Sequence, residues 1–241
     1  MLINVFSTHR TGSTWWCHYL INKNPGGIFY NELFNQVTYF AVGGNDKYIP
    51  FNEYKEGYYW RSPNNACKRL LHHYYKVPDE YEGRYERWIK YLEFSPEVNI
   101  CHTHLWPLRD SKYLAELCKI GDKNYYVYRE NILEQMASLI IMEHTGEYTV
   151  VTKEKSNISE KFTYPIIDMK TIEWKMKEIL HAEEFIADKL FNYERIKYES
   201  MPFHETVEGM PLKQNVSAFD RLCIIDQVLL KQIYGRTKNV R

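Results

Sequence analysis

The sequence predicts an α/β fold of three layers, a central parallel sheet flanked by helices. Two observations predict it. Apolar runs of strand length alternate with helix-length segments of helical period from Leu2 to about Tyr198, and that alternation implies a parallel sheet covered on both faces. The first apolar run, Leu2-Ile3-Asn4-Val5-Phe6, also passes through a turn rich in Gly and hydroxyl side chains straight into a helical stretch, Trp15-Trp16-Cys17-His18-Tyr19-Leu20-Ile21. In a sheet of this kind a ligand sits at the C-terminal ends of the strands. A chain of 241 residues fits one domain.

The elements follow in order. Residues 2–6 read as the first strand and 13–23 as the first helix, with one of Trp15 and Trp16 pointing into the core at the helix start. Asn24-Pro25-Gly26-Gly27 is a turn, and 28–30 a short parallel strand. Residues 36–66 show no clear period and read as loop with aromatic tips. Residues 64–76 and 80–94 read as helices, separated by Pro78-Asp79. Val98 to His104 is a strand, 110–120 a helix ending at Gly121, Asn124 to Arg129 a strand and 131–144 a helix. Residues 145–166 read as loop. Asp168 to Leu190 is one long amphipathic helix with Ile172, Met176, Ile179, Leu180, Glu183 and Ile186 along its stripe. Phe191 to Tyr198 is a strand and Ala218 to Tyr234 a terminal helix.

Composition narrows the class. Hydrophobic content of 44% supports a sizeable core, and formal net charge is zero. Nucleic-acid and anionic-membrane binders are more often basic, so neither is an expected partner and any anion site is local. The five Cys form no CxxC pair, which fits reduced thiols in a cytoplasmic setting. No run approaches the ~20 apolar residues of a membrane span. His102 and His104 alternate on a strand and share a face, but no third ligand stands at metal-site spacing. No metal is therefore expected.

The turn after the first strand carries the functional signal. Strand, small-residue loop and helix start present backbone N–H groups and a positive dipole end to a phosphate. Arg10 adds a fixed charge; Ser13 and Thr14 add hydroxyl donors. The loop is not a Walker A motif, because Gly12 stands alone and no Lys follows it. His9-Arg10-Thr11-Gly12-Ser13-Thr14-Trp15 instead resembles the 5′-phosphosulfate loop of the sulfotransferases, with His9 where that family usually has Pro.

Three further segments carry the resemblance, in the family's order. Asn24-Pro25 through Asn31-Glu32-Leu33-Phe34 resembles the "His-Pro … Gly-Glu-Pro-Phe" segment of carbohydrate and bacterial sulfotransferases. Tyr125 to Ser138 resembles the 3′-phosphate element, a strand ending in Arg followed by a helix carrying Ser. Glu130 replaces the family's second Arg there, so Arg129 stands one residue early. Phe191 to Tyr198 resembles a late "Tyr-Glu-Asp-Leu" strand end. The resemblance implies a P-loop-like fold and transfer of a sulfuryl group from 3′-phosphoadenosine 5′-phosphosulfate to a hydroxyl acceptor, a carbohydrate or small metabolite. It implies Arg10, Thr11, Gly12, Ser13, Thr14 and Trp15 at the 5′-phosphosulfate, and Arg129 and Ser138 at the 3′-phosphate. The acceptor pocket falls to residues 36–95, where no motif helps.

Two residues compete for the base that takes the acceptor's proton. Glu32 matches the carbohydrate-type position. His104 lies in His102-Thr103-His104-Leu105-Trp106-Pro107, which resembles the "Lys-Thr-His-Leu-Pro" of cytosolic sulfotransferases with Trp106 inserted. An imidazole suits base chemistry without tuning, whereas a Glu needs a raised pKa or an activated acceptor. The Pro25-to-Glu32 spacing fits without a gap and favours Glu32. The other readings are a P-loop-like kinase or phosphotransferase, against which the missing Gly-Lys-Ser/Thr counts, and a catalytically silent nucleotide-binding protein.

Overall fold

The computed structural model describes residues 1–30, 89, 92–105, 112–145, 161–205, 207 and 217–239. The 36–66 loop, the 64–76 helix, Glu32, Cys67 and nearly all of the expected 36–95 acceptor segment lie outside the described residues, as does most of the 145–166 loop.

The strand sequences build a five-stranded sheet around the first of them. Strand β1 (Leu2–Ser7) is buried along its whole length, as expected of a continuous apolar run covered on both faces. Strands β2 (Ile28–Tyr30), β3 (Asn99–His104), β4 (Lys123–Tyr128) and β5 (Glu194–Lys197) join it in the order β2-β3-β1-β4-β5, all parallel. The expected α/β architecture is the one observed. β2 and β3 lie on one side of β1, β4 and β5 on the other, so the chain switches direction at β1. Ser7 pairs with His104 on one side and Val127 on the other, which leaves these strand ends level.

Helices cover both faces. Helix α1 (Ser13–Lys23) puts Trp15, Cys17 and Leu20 against Ile3, Val5, Phe29, Ile100 and Val127. Helix α2 (Lys112–Ile120) puts Leu114, Leu117 and Cys118 into the opposite cluster with Leu2, Phe6, Tyr30 and Tyr126. Each such side chain taken fully from water stabilises the fold by about 1.5–3 kcal/mol. A third cluster joins helices α3 (Ile132–Thr145), α4 (Met169–His181) and α6 (Ile224–Asn239) through Met136, Ile140, Ile172, Met176, Leu230 and Ile233. Among the described residues no helix is long and apolar enough to cross a membrane.

Three elements differ from the sequence expectation. The helix expected from Asp168 to Leu190 is α4 followed by a π turn (Ala182–Ile186) and a 3₁₀ turn (Ala187–Lys189). Its first part buries Ile172, Met176 and Ile179 with α3 and α6. Its second part buries Ala182, Ile186, Ala187 and Leu190 against the sheet beside α2. The widened turn lies where the buried stripe passes from one cluster to the other, a common use of such turns. The strand expected over 191–198 is only Glu194–Lys197, because Asn192 adopts φ 51° and the chain then closes into a 3₁₀ turn (Tyr198–Ser200). The terminal helix is broken at Leu222, whose extended backbone drops its side chain into the third cluster between α5 (Ala218–Arg221) and α6.

Two buried amides tie the sheet to α2. Asn4 Nδ2 donates to Leu117 O at 2.7 Å and to Asn124 Oδ1 at 2.9 Å, and Asn124 Nδ2 donates to Cys118 O at 2.8 Å and Asn192 O at 3.2 Å. A side chain at Gly121 would collide with both amides, so the close of α2 needs glycine there. Asn124→Ala strands carbonyls and leaves Asn4 with one partner fewer. It should cost about 1–3 kcal/mol in urea unfolding with an unchanged slope; a loss under about 0.5 kcal/mol would show that the amide pair holds nothing.

Candidate functional site

The loop between β1 and α1 reverses direction through two left-handed residues, Arg10 (φ 61°) and Gly12 (φ 78°). For Arg10 that conformation costs about 1–3 kcal/mol, so neighbours must impose it. They do so at Thr8. Gln135 of α3, fully buried, donates through Nε2 to Thr8 Oγ1 at 2.9 Å and to the His9 carbonyl. Thr8 Oγ1 donates in turn to Glu183 Oε1 at 3.2 Å, and Thr11 Oγ1 donates to the Thr8 carbonyl at 3.2 Å. Glu183 sits on the π turn and also accepts from the Tyr126 hydroxyl of β4. Burial pushes the Glu183 carboxyl above its ordinary value, although both hydrogen bonds oppose this. Burial, then the neighbouring Glu183 charge, push the Tyr126 phenol up.

The loop delivers α1 with its start open. Gly12 is the N-cap, no side chain caps it, and the first turn holds no acidic residue. The first-turn N–H groups of any helix lack intrahelical carbonyls, and Gly12 has no side chain to replace them. Gly12 serves a second need: a Cβ there would lie 2.5 and 2.7 Å from two carbons of the Tyr198 ring. Tyr198 follows β5, and the Arg129 guanidinium lies over its ring, 4.4 Å from the centroid.

Two of the expected phosphate-binding side chains, Arg10 and Ser138, meet at this edge of the sheet. Arg10 Nε donates to Ser138 Oγ at 3.1 Å. Arg129 is held between two carboxylates, with Glu134 at 3.5 Å and Glu199 at 3.9 Å. Glu134 is itself pinned, because it accepts from Ser217 Oγ and from the N–H groups of Ala218 and Phe219. Trp15 is different: its side chain is buried against Tyr19 and Phe203, so only its backbone belongs to the loop.

Of the two candidate bases, the structure describes one. His104 ends β3, is 5% exposed, and has its ring 4.3 Å from that of His9 and 4.9 Å from that of His102. His102 Nε2 is 2.9 Å from Ser7 Oγ, and His9 Nε2 is 3.7 Å from Glu178 Oε1. Thr8, His9, His104, Glu178, Ile179 and Ala182 line a small cavity beside the loop. The chain leaves β2 at Tyr30, two residues before Glu32. Among the described residues no group of three or more His, Cys, Asp or Glu could hold a metal ion.

Sequence reasoning missed four residues of this site. Gln135 lies within the Tyr125–Ser138 segment, where it carried no assigned role. Glu183 was one carboxylate within an apolar stripe, which is a usable signal of a buried polar contact. Glu134 and Glu199 gave no signal, since each acts on Arg129 only after folding. No protein-family model matches the chain, and neither a curated protein nor a solved structure does.

Two outcomes follow from the loop. Gly12→Ala should destabilise the protein, and Tyr198→Ala should offset part of that loss in a double-mutant cycle, because the two side chains compete for one volume; strictly additive effects would contradict the contact. A raised carboxyl pKa means that the folded state holds the proton more firmly than the unfolded chain. The contribution of Glu183 is therefore fully present below its ordinary value of 4.5 and is lost as pH rises through the folded value. The stability difference, wild type minus Glu183→Gln, should fall as pH is raised from about 4 to about 8. A difference that rises with pH would place Glu183 among the carboxylates stabilised in their charged form.

Proposed function

We propose that the protein is a sulfotransferase that moves a sulfuryl group from 3′-phosphoadenosine 5′-phosphosulfate to a hydroxyl acceptor, a carbohydrate or small metabolite. The observation that carries this reading is the loop Arg10–Ser13: two left-handed residues, an α1 start without a side-chain cap, and Ser138 within hydrogen-bond reach of Arg10. Its donor set fits an anionic group, and Gly12 keeps side-chain atoms out of the turn.

In this reading the cofactor supplies the activated sulfuryl group and a phosphate leaving group. Arg10 and the backbone N–H groups of 11–15 would hold the 5′-phosphosulfate and offset the charge that grows as the bond to the leaving group breaks. Such donors cost no reorganisation because Gln135 and Glu183 already fix the loop through Thr8. Ser138 and Arg129 would hold the 3′-phosphate. Glu32 or His104 would take the acceptor's proton as the oxygen attacks in line.

Turnover on a panel of hydroxyl acceptors, followed by mass detection of sulfated product, tests the reading. Arg10→Ala should lower kcat by ~10²–10³ and leave the acceptor KM nearly unchanged; a change confined to KM would put Arg10 in the acceptor pocket. Glu32→Gln should lose ~10²–10⁴ in kcat, while His104→Asn should mainly change the acceptor KM. The reverse pattern transfers the base role to His104, and no product with any acceptor would leave a silent binding protein.

A further inference from the structure

Arg129 is the cation that the nucleotide reading assigns to the 3′-phosphate, yet its charge is already countered. Its side chain is 13% exposed, and its buried Nε makes no hydrogen bond, the oxygen paired with it being Glu199 Oε1 at 3.9 Å. The two carboxylates that face it are not equivalent. Glu134 is 13% exposed and is held by three donors at the start of α5, so removing it from Arg129 would also uncap that helix. Glu199 is 33% exposed, on a short 3₁₀ turn, and accepts only long bonds, 3.4 Å each, from the N–H groups of Glu130 and Asn131. An oxyanion that draws on Arg129 and on the backbone N–H groups beside it satisfies donors that a phosphate would also satisfy.

We infer that Glu199 is a carboxylate stand-in for the ligand's 3′-phosphate and sets how tightly that phosphate is held. The inference rests on the nucleotide reading above. Glu199 keeps Arg129 aligned over Tyr198 before the ligand arrives, and must leave when a phosphate takes its donors. Its displacement opposes every ligand that carries a 3′-phosphate and leaves ligands without one unaffected. Glu199 thereby acts as a specificity-determining residue that lowers the preference for 3′-phosphorylated nucleotides. Glu130 provides the control: its side chain bears the same charge on the neighbouring turn but pairs with Lys197 at 2.5 Å instead of with Arg129, and substitution leaves its backbone N–H in place.

Isothermal titration of the whole chain with adenosine 3′,5′-bisphosphate and with 5′-AMP tests this. Glu199→Gln keeps an oxygen acceptor for one of the two N–H groups, which bond to different oxygens of Glu199, and removes the charge. It should tighten the bisphosphate about tenfold, the equivalent of about 1.4 kcal/mol, and change AMP by less than about twofold. Glu130→Gln should change neither by more than about twofold, and thermal unfolding of each variant confirms that it is folded. An unchanged or weakened bisphosphate affinity in folded Glu199→Gln overturns the inference, since Glu199 would then support Arg129 and not compete for it. An equal gain in Glu130→Gln overturns it too, by reducing the effect to net charge. If the wild type prefers the bisphosphate and Glu199→Gln does not raise that preference, the inference alone fails. If neither nucleotide binds any of the proteins, the nucleotide reading fails and takes the inference with it.

Discussion

The site depends on one buried hydroxyl. Thr8 Oγ1 accepts from Gln135 and donates to Glu183, which also accepts from Tyr126. Four elements meet at this point: the end of β1, helix α3, the π turn and strand β4. A hydrogen bond to a charged or polar group in such a place is worth about 1–3 kcal/mol, and a half-broken network costs more than it ever contributed. The network therefore acts as a unit. It holds Arg10 in a conformation the residue would not choose, and it explains why the chain widens at Ala182–Ile186, where Glu183 has to reach inward while Ala182 and Ile186 stay in the core.

A second contact fixes the loop from its other side. The Tyr198 ring fills the space left by the missing Cβ of Gly12, and Arg129 lies against the same ring. The turns after β1, β4 and β5 are thus linked by one aromatic side chain. Because β1, β3 and β4 end level, with Ser7 beside His104 and Val127, the side chains leaving them converge without long loops. Burial supplies the rigidity and the sheet supplies the registration.

The fold was legible where local pattern decides it. The first helix spans Ser13–Lys23 as expected, and the short strand Ile28–Tyr30 could be read from its neighbours' turns. Legibility ended where distant contacts override period. The stripe of the 168–190 segment is regular enough to read as one helix, yet its two parts serve different clusters. Leu222 lies within a helical pattern but is worth more buried than helical. In the site, the loop shows itself by composition alone, because Gly and hydroxyl side chains must stand together there. Gln135 and Glu183 reach Thr8 across 127 and 175 residues of chain, and no local signal announces such a meeting. The same holds for Glu199, whose partner Arg129 lies on the neighbouring strand's turn.

The proposed function requires this loop to hold a phosphosulfate nucleotide without a Lys after Gly12 and without a metal-bridged triphosphate. Calorimetric titration with adenosine 3′,5′-bisphosphate in the presence of a chelator, set against ATP with Mg²⁺, tests it most directly. The expected result is saturable binding of the bisphosphate that needs no divalent cation, with ATP·Mg²⁺ at least about tenfold weaker, a gap of about 1.4 kcal/mol. Tighter binding of ATP·Mg²⁺, with no heat from the bisphosphate, would contradict the account and assign the loop to a phosphotransferase.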